Sequence, residues 1–302
     1  MYKISLVILS YLLIPLCFSQ ETINYRIFSI GNTANLKEDT TFYYALKETL
    51  SKSNEKKILL INGDLVKNND NLSRDSSRVY KMLHILSSIK NVQIIVLPGD
   101  RDWSNSGKNG LKTVKKVEKW VENDVFNNVK WVLDKGCPGP EIIELDSTLN
   151  LMLINTQWWN HPYEKPTTVD AECSIITKKD FVIEFENALA ETEEKNLIIA
   201  GHFSLVESPN PSFQSYFTPF PILGSFKSAF HQNIGGKQDV VNERFNKIRK
   251  TMLSRMSVKS GVVYLSANDF NIQINKENEN YFINSGLPTN SKKATRSKLA
   301  IY

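Results

Sequence analysis

Apolar positions along this chain follow two rhythms that alternate. Short runs of aliphatic and β-branched residues predict strands over 25–30, 57–61, 92–97, 141–145, 149–155, 197–200, 262–266, 272–275 and 281–284. Between them, apolar residues recur every three or four positions and predict helices. Phe42, Ala45, Leu46 and Leu50 mark one over 40–51. Val79, Met82, Leu83, Leu86 and Ile89 mark a second over 74–90. Leu111, Val114, Val117 and Val121 mark a third over 111–124, and Phe245, Ile248, Met252 and Met256 a fourth over 242–256. A fifth helix spans 177–192, with Thr177 as N-cap and Asp180 at the capping-box position.

Strands that alternate with helices imply an α/β core with substantial parallel pairing. Ligands of such folds sit beyond the carboxyl ends of the strands. That rule selects five short loops: Gly31-Asn32-Thr33, Gly63-Asp64, Gly99-Asp100-Arg101-Asp102, Gly201-His202 and Ala267-Asn268-Asp269-Phe270. Residues 203–241 break both rhythms. They are rich in Pro, Ser and Phe and predict a long lid-like insertion carrying Phe203, Phe213, Tyr216, Phe217, Phe220, Phe226 and Phe230. Trp158-Trp159 and these aromatics are expected to pack on their own domain, with a partner-binding surface as the alternative for the lid.

The chain has 302 residues and a net charge of +5. Its basic pairs (Lys56-Lys57, Lys115-Lys116, Lys178-Lys179, Lys292-Lys293) are scattered, so they read as solvated surface, not as a nucleic-acid stripe. At the start, Lys3 precedes an apolar run from Ile4 to Phe18 that Pro15 interrupts. It is shorter than the ~20 residues of a membrane span and has the layout of a signal peptide over 1–19. Leu16 before Cys17 argues against a lipoprotein. The mature part, 20–302, is then a single exported domain with no transmembrane span. It keeps Cys137 and Cys173, which an oxidising compartment would join in a disulfide; two buried thiols are the alternative. His84, His161 and His231 are expected on the surface or the lid.

The five loops, taken in order, resemble the motifs of the calcineurin-like metallophosphoesterases. Gly136-Cys137-Pro138-Gly139-Pro140, Asn155-Thr156-Gln157-Trp158-Trp159 and Pro221-Ile222-Leu223-Gly224-Ser225 are similar to exported members from Bacteroidota. The resemblance covers roughly residues 24–297. It implies a four-layer sandwich of two mixed β-sheets flanked by helices, and a two-metal site. Of the ligands it implies, Asp64 and His202 are present, as is the supporting Asp102. Asn32 stands at the first Asp position. Asp100 replaces an Asn ligand, Arg101 a His that assists the leaving group, and Asn268 and Phe270 two His ligands.

Two-metal hydrolysis clamps the attacking and leaving oxygens with cations about 3.5–4 Å apart. Neutral amides and a phenyl ring cannot hold such a pair, and Arg101 stays protonated. At ~4 Å and an effective dielectric near 20, each like-charge pair costs about 4 kcal/mol. A dinuclear centre is therefore not expected. Asp64, Asp100 and Asp102 could still hold one divalent cation, with His202 as a further ligand. Against this, Asp64 and Asp102 are expected to brace local turns, Arg101 to pair with a neighbouring Asp, and His202 to be hydrogen-bonded within the former site. Three functions remain open. One is a non-catalytic binding protein in the periplasm or at the outer membrane that meets an envelope protein through 203–241. The others are a phosphoesterase with a reduced metal site and an anion-binding module using Arg101.

Overall fold

The computed structural model describes residues 24–36, 40–67, 72–166, 173–206, 243–268 and 272–286. Four strands, β1 (Tyr25–Ile30), β2 (Lys56–Asn62), β3 (Val92–Leu97) and β4 (Val129–Trp131), form one sheet in that order, parallel throughout. The second sheet is mixed. It contains β5 (Glu141–Asp146), β6 (Leu149–Leu153), β7 (Asn196–Ala200), β8 (Val263–Ser266), β9 (Ile272–Glu277) and β10 (Asn280–Ser285), in the order β5-β6-β7-β8-β10-β9. Its central strands β6, β7, β8 and β10 are parallel, and the two edges are antiparallel.

The period of two along each strand assigns the layers. Ile58 and Leu60 of β2 and Ile95 and Leu97 of β3 meet Leu151, Leu153, Ala200 and Leu265 of the other sheet. Their neighbours Leu59, Ile61, Ile94 and Val96 face away, into the core shared with the helices. On the first sheet those helices are α1 (Thr41–Ser51), α2 (Leu72–Ser87) and α3 (Gly110–Val121). On the second they are α5 (Lys178–Glu191) and α6 (Glu243–Met256), following the short α4 (Thr156–Asn160). This is the four-layer α/β sandwich expected from the sequence. The capping box of α5 is present: Asp180 N donates to Thr177 Oγ1 and Thr177 N donates to the Asp180 carboxylate, both at 3.1 Å. Cys137 and Cys173 are bonded, with Cα atoms 5.5 Å apart.

Several expectations need correction. Helix α2 stops at Ser87, before residue 90, and Asn91 turns left-handed so that its carbonyl accepts from Lys57 N. Lys57 is buried, because its ammonium is capped by the carbonyls of Ser53 and Glu55. His161 is buried between the rings of Trp103 and Tyr163, since α4 turns it inward. Trp158 and Trp159 are buried as expected. The signal segment, the lid from 207 onward and Phe270 lie outside the described residues. Among those described, no helix is long and apolar enough to cross a membrane.

Candidate metal site

The carboxyl ends of β1, β2, β3, β7 and β8 converge on one edge of the sandwich. Asparagine amides join them there. Asn62, the last residue of β2, donates through Nδ2 to the carbonyls of Gly201 (3.0 Å) and Leu265 (3.1 Å). Asn32 has a left-handed backbone and donates through Nδ2 to the carbonyl of Ala267. Both sheets are thus stitched together beneath the site. The approach leaves no room for side chains at two turns. Gly63 has φ +84°, and a Cβ there would lie 2.5 Å from both Gly99 Cα and His202 Nδ1. At Gly99 it would lie 2.4 Å from Asp64 N.

Asp102 anchors these turns. Its fully buried carboxylate accepts from Gly99 N (2.8 Å), Asp64 N (2.9 Å), Leu65 N (2.9 Å) and Val66 N (3.2 Å). Burial raises its pKa, and the N–H donors pull against that rise. With both oxygens committed to backbone donors, Asp102 is not a cation ligand. Asp102 takes the turn-bracing role expected of it, and two carboxylates remain to face a cation.

Those two belong to Asp64 and Asp100, and His202 faces both. His202 is fully buried. Its Nδ1 lies 2.9 Å from the carbonyl of Asn62, which can only accept, so Nδ1 carries the hydrogen. Nε2 therefore points at Asp100 Oδ1 (3.2 Å) and Asp64 Oδ1 (3.4 Å). Ligand atoms of the three residues all lie within 4.8 Å of one another. Burial pulls His202 down, but the charge of Asp64 and the bond and charge of Asp100 override it, leaving a pKa of about 9. Burial, then the neighbouring Asp100 charge, pushes Asp64 well above the carboxylate range. Asp100 is held low: burial opposes this, and the hydrogen bond and charge of His202 outweigh it.

The other oxygen of Asp64 is spoken for. Arg101 Nε lies 3.3 Å from Asp64 Oδ2, and Arg101 N donates to Asp64 Oδ1 at 3.1 Å. Arg101 Nη1 donates to Asn35 Oδ1 at 2.7 Å. The ion pair expected from the sequence is thus formed. Arg78 supports the same loops through the carbonyls of Ala34 and Leu65 and a 2.9 Å pair with Asp75. Asn268 is half-buried at the rim, its N–H donating to the His202 carbonyl at 3.0 Å. The structure therefore brings together Asp64, Asp100, His202 and Arg101, while Asn32 is bound elsewhere. Sequence reasoning missed Asn35 and the carbonyl of Asn62. The only available signal was that Asn62 closes β2 directly before Gly63-Asp64.

The donor set suits one cation. Two carboxylates and an imidazole whose Nε2 is turned inward are a chemically coherent triad for Mn²⁺, Fe²⁺ or Zn²⁺, which would displace the Nε2 proton on binding, and the Asn62 carbonyl holds the Nδ1 hydrogen as outer-shell partners do. The set does not suit two. A second cation on Asp64 would need Oδ2, where the Arg101 guanidinium already sits.

No family model matches the chain, and no curated protein does. Among solved structures, the chain is similar to GAP50, the anchor in the inner membrane complex of Plasmodium. That match has 13% identity over 86% of this chain and 70% of that one, with a TM-score of 0.45. It is also similar to a putative 5'-nucleotidase from Staphylococcus aureus (10% identity, TM-score 0.46), covering 87% of this chain and 48% of that one, about half its length. A dimetal phosphatase from Danio rerio is 9% identical over 87% of each chain, with a TM-score of 0.49. At these values none of the three bears on what this chain does.

Proposed function

We propose that this chain is a metallophosphoesterase homologue whose site holds one divalent cation and acts by binding, not by turnover. One observation carries the proposal: Asp64 Oδ1 faces His202 Nε2, while Oδ2 faces the Arg101 guanidinium. Asp64, Asp100 and His202 would hold the cation. When bound, it would supply a Lewis-acid centre for an oxygen ligand. Arg101 stands where a second ion would have to share Asp64, and its charge is permanent. The motif order Gly63-Asp64, Gly99-Asp100-Arg101-Asp102, Gly201-His202 supports the homology.

An exported, envelope location is part of the same proposal. Its supports are the apolar leader with Lys3 ahead of it and the Cys137–Cys173 bond. The aromatic composition of 203–241 supports an envelope protein as partner. Elemental mass spectrometry on protein purified from its native compartment tests the core of the proposal. One transition-metal ion per chain, without hydrolysis of a phosphoester, is the expected result. Two tightly held ions with turnover would overturn it.

A further inference from the structure

We propose that Lys165, Lys178, Arg244 and Lys247 form a docking surface for an acidic segment of a partner protein, built on the buried pair Trp158-Trp159 of α4. None of these residues belongs to the strand-end site, and the surface needs no cation there.

Adjacent tryptophans gather these cations from three places in the chain. Lys165, five residues beyond α4, lays its Nζ 4.5 Å from the centroid of the Trp158 ring. Lys178, the first residue of α5, lays its Nζ 4.8 Å from that of Trp159. Trp159 Nε1 donates to the carbonyl of Arg244 at 2.7 Å, which fixes the start of α6 beside the same ring. Lys247 follows about one helical turn later on α6. Both rings are buried, and the lysine stems that cover them hold the ammonium groups in place.

Here the cations face one another. Burial, then the charges of Lys178 and Arg244, pull Lys165 down to about 8. Burial also lowers Lys178, followed by the charges of Arg244 and Lys247. Lys259 is likewise lowered by burial, but Glu193 opposes the fall. Among the described residues, Lys165, Lys178 and Lys247 make no ion pair, whereas Lys130, Lys195, Arg255 and Lys276 each meet a glutamate within 3.0 Å. Lys178 also stands in the first turn of α5, where the peptide dipoles already present positive charge. The acid of that turn, Asp180, is turned to Thr177 N in the capping box. An anion relieves this repulsion, and a segment with repeated carboxylates can meet cations on three elements in turn. Tyr163 and Ile176, each two residues from one of the lysines, are exposed and add apolar area. Tyrosine and arginine together are typical of protein interfaces. The tryptophans, which would anchor the surface in a bilayer, are instead buried beneath the lysines. Because the rings already orient the lysines, little side-chain entropy remains to be lost on binding.

The test is fluorescence anisotropy of a labelled octaglutamate peptide titrated with the full chain at neutral pH. Wild type should bind it, with an affinity that falls as salt rises. The double variant Lys165→Gln/Lys178→Gln should lose about tenfold or more in affinity. Lys81→Gln/Lys112→Gln removes the same charge from exposed positions of α2 and α3 and should change affinity by about twofold or less. Melting curves show whether each variant is folded. If the first is not, Lys247→Gln, at an exposed position of α6, should still weaken binding by about threefold or more. No binding by wild type, or equal losses in the two double variants, overturns the docking surface. Inorganic phosphate that displaces the peptide at equal concentration overturns it in favour of a small anion. Tighter binding to phosphatidylglycerol vesicles than to the peptide, lost in Lys165→Gln/Lys178→Gln, overturns it in favour of a membrane.

Discussion

Among the described residues, two clusters of metal-ligating side chains bring ligand atoms within 4.8 Å of one another: Asp64, Asp100 and His202 at the strand ends, and Glu118, Glu122 and Asp134 beside α3. Only the first is built as a site. Its members come from three loops that Asn62, Gly63, Gly99 and Asp102 lock together, and His202 Nε2 is aimed into the gap between two carboxylates. In the second, Glu122 and Asp134 are exposed, and Glu118 is spent. Both of its oxygens accept from Lys135 N, at 2.8 and 2.9 Å, bracing the turn at residues 134–136. Proximity of carboxylates is therefore a weak criterion. What separates the clusters is whether a rigid frame turns two carboxylates and an imidazole nitrogen into one buried gap.

The largest effect that could break this comparison lies in the frame. Asp102→Ala would leave four buried backbone N–H groups without their acceptor. Removing one partner of such a network costs about 3–5 kcal/mol. Chemical denaturation should show a loss of that size. A loss below about 1 kcal/mol, the scale of an ordinary surface change, would mean the turns hold without Asp102. Asp64 comes next. Asp64→Ala removes one of the two carboxylates from the first cluster and should lower Mn²⁺ affinity by about 100-fold or more, since cation affinity is set by ligand count and charge. Asp134→Ala should leave it unchanged. Equal losses in the two variants, read by metal titration, would erase the distinction between the clusters.

The history of these residues in the sequence explains what could be read in advance. Asp64, Asp100, Arg101 and His202 follow glycines at the ends of short apolar runs, and the carboxyl-end rule picks them out without structural help. The layers were equally legible, because α2, α3 and the buried strands β2 and β3 have strong periodicity. The partners were not. Asn62 bonds to residues 139 and 203 positions away, and Arg101 to Asn35 across 66. Such pairs exist only once the loops meet. The sequence showed that Asn32 cannot supply a carboxylate. It could not show that the amide instead donates to the Ala267 carbonyl, which an ionised Asp could not do. β4 has three residues and α4 five, too short for any period to register. Lys57 looked solvated because a charge pair is normally so, yet local carbonyls capture its ammonium.

The second cluster gives the next effect, a dependence on pH. Burial raises the Glu118 pKa from its ordinary value of 4.5 to about 7, and the carboxylates of Glu122 and Asp134 add to the rise. The folded state therefore holds this proton more tightly than the unfolded chain. Its contribution to stability is fully present below about pH 4.5 and is lost as pH rises through 7. Glu118→Gln keeps an oxygen for Lys135 N and removes the titration. The difference in unfolding free energy between wild type and variant should shift by about 1–3 kcal/mol between pH 5 and 8, in favour of wild type at the lower pH. Parallel profiles for the two proteins would show that the Glu118 carboxyl titrates normally.

The smallest expected effect tests the same cluster most sharply. Asp134 is exposed, and its charge helps to raise Glu118 and Glu122. If the cluster were a cation site, Asp134→Asn would destroy a ligand and lower cation affinity. If it is only a crowded anionic surface around a turn-bracing carboxylate, the substitution removes repulsion. Stability at pH 8 should then rise slightly, by about 0.5 kcal/mol or less, as exposed charges in water allow. The gain should fade in high salt, where such charges are screened beyond about one Debye length. A stability loss, or a gain that persists in high salt, would show that Asp134 makes a specific contact and not a diffuse repulsion. The strand-end cluster should respond in the opposite way, because there each carboxylate is held by named donors and its removal leaves them buried and unpaired.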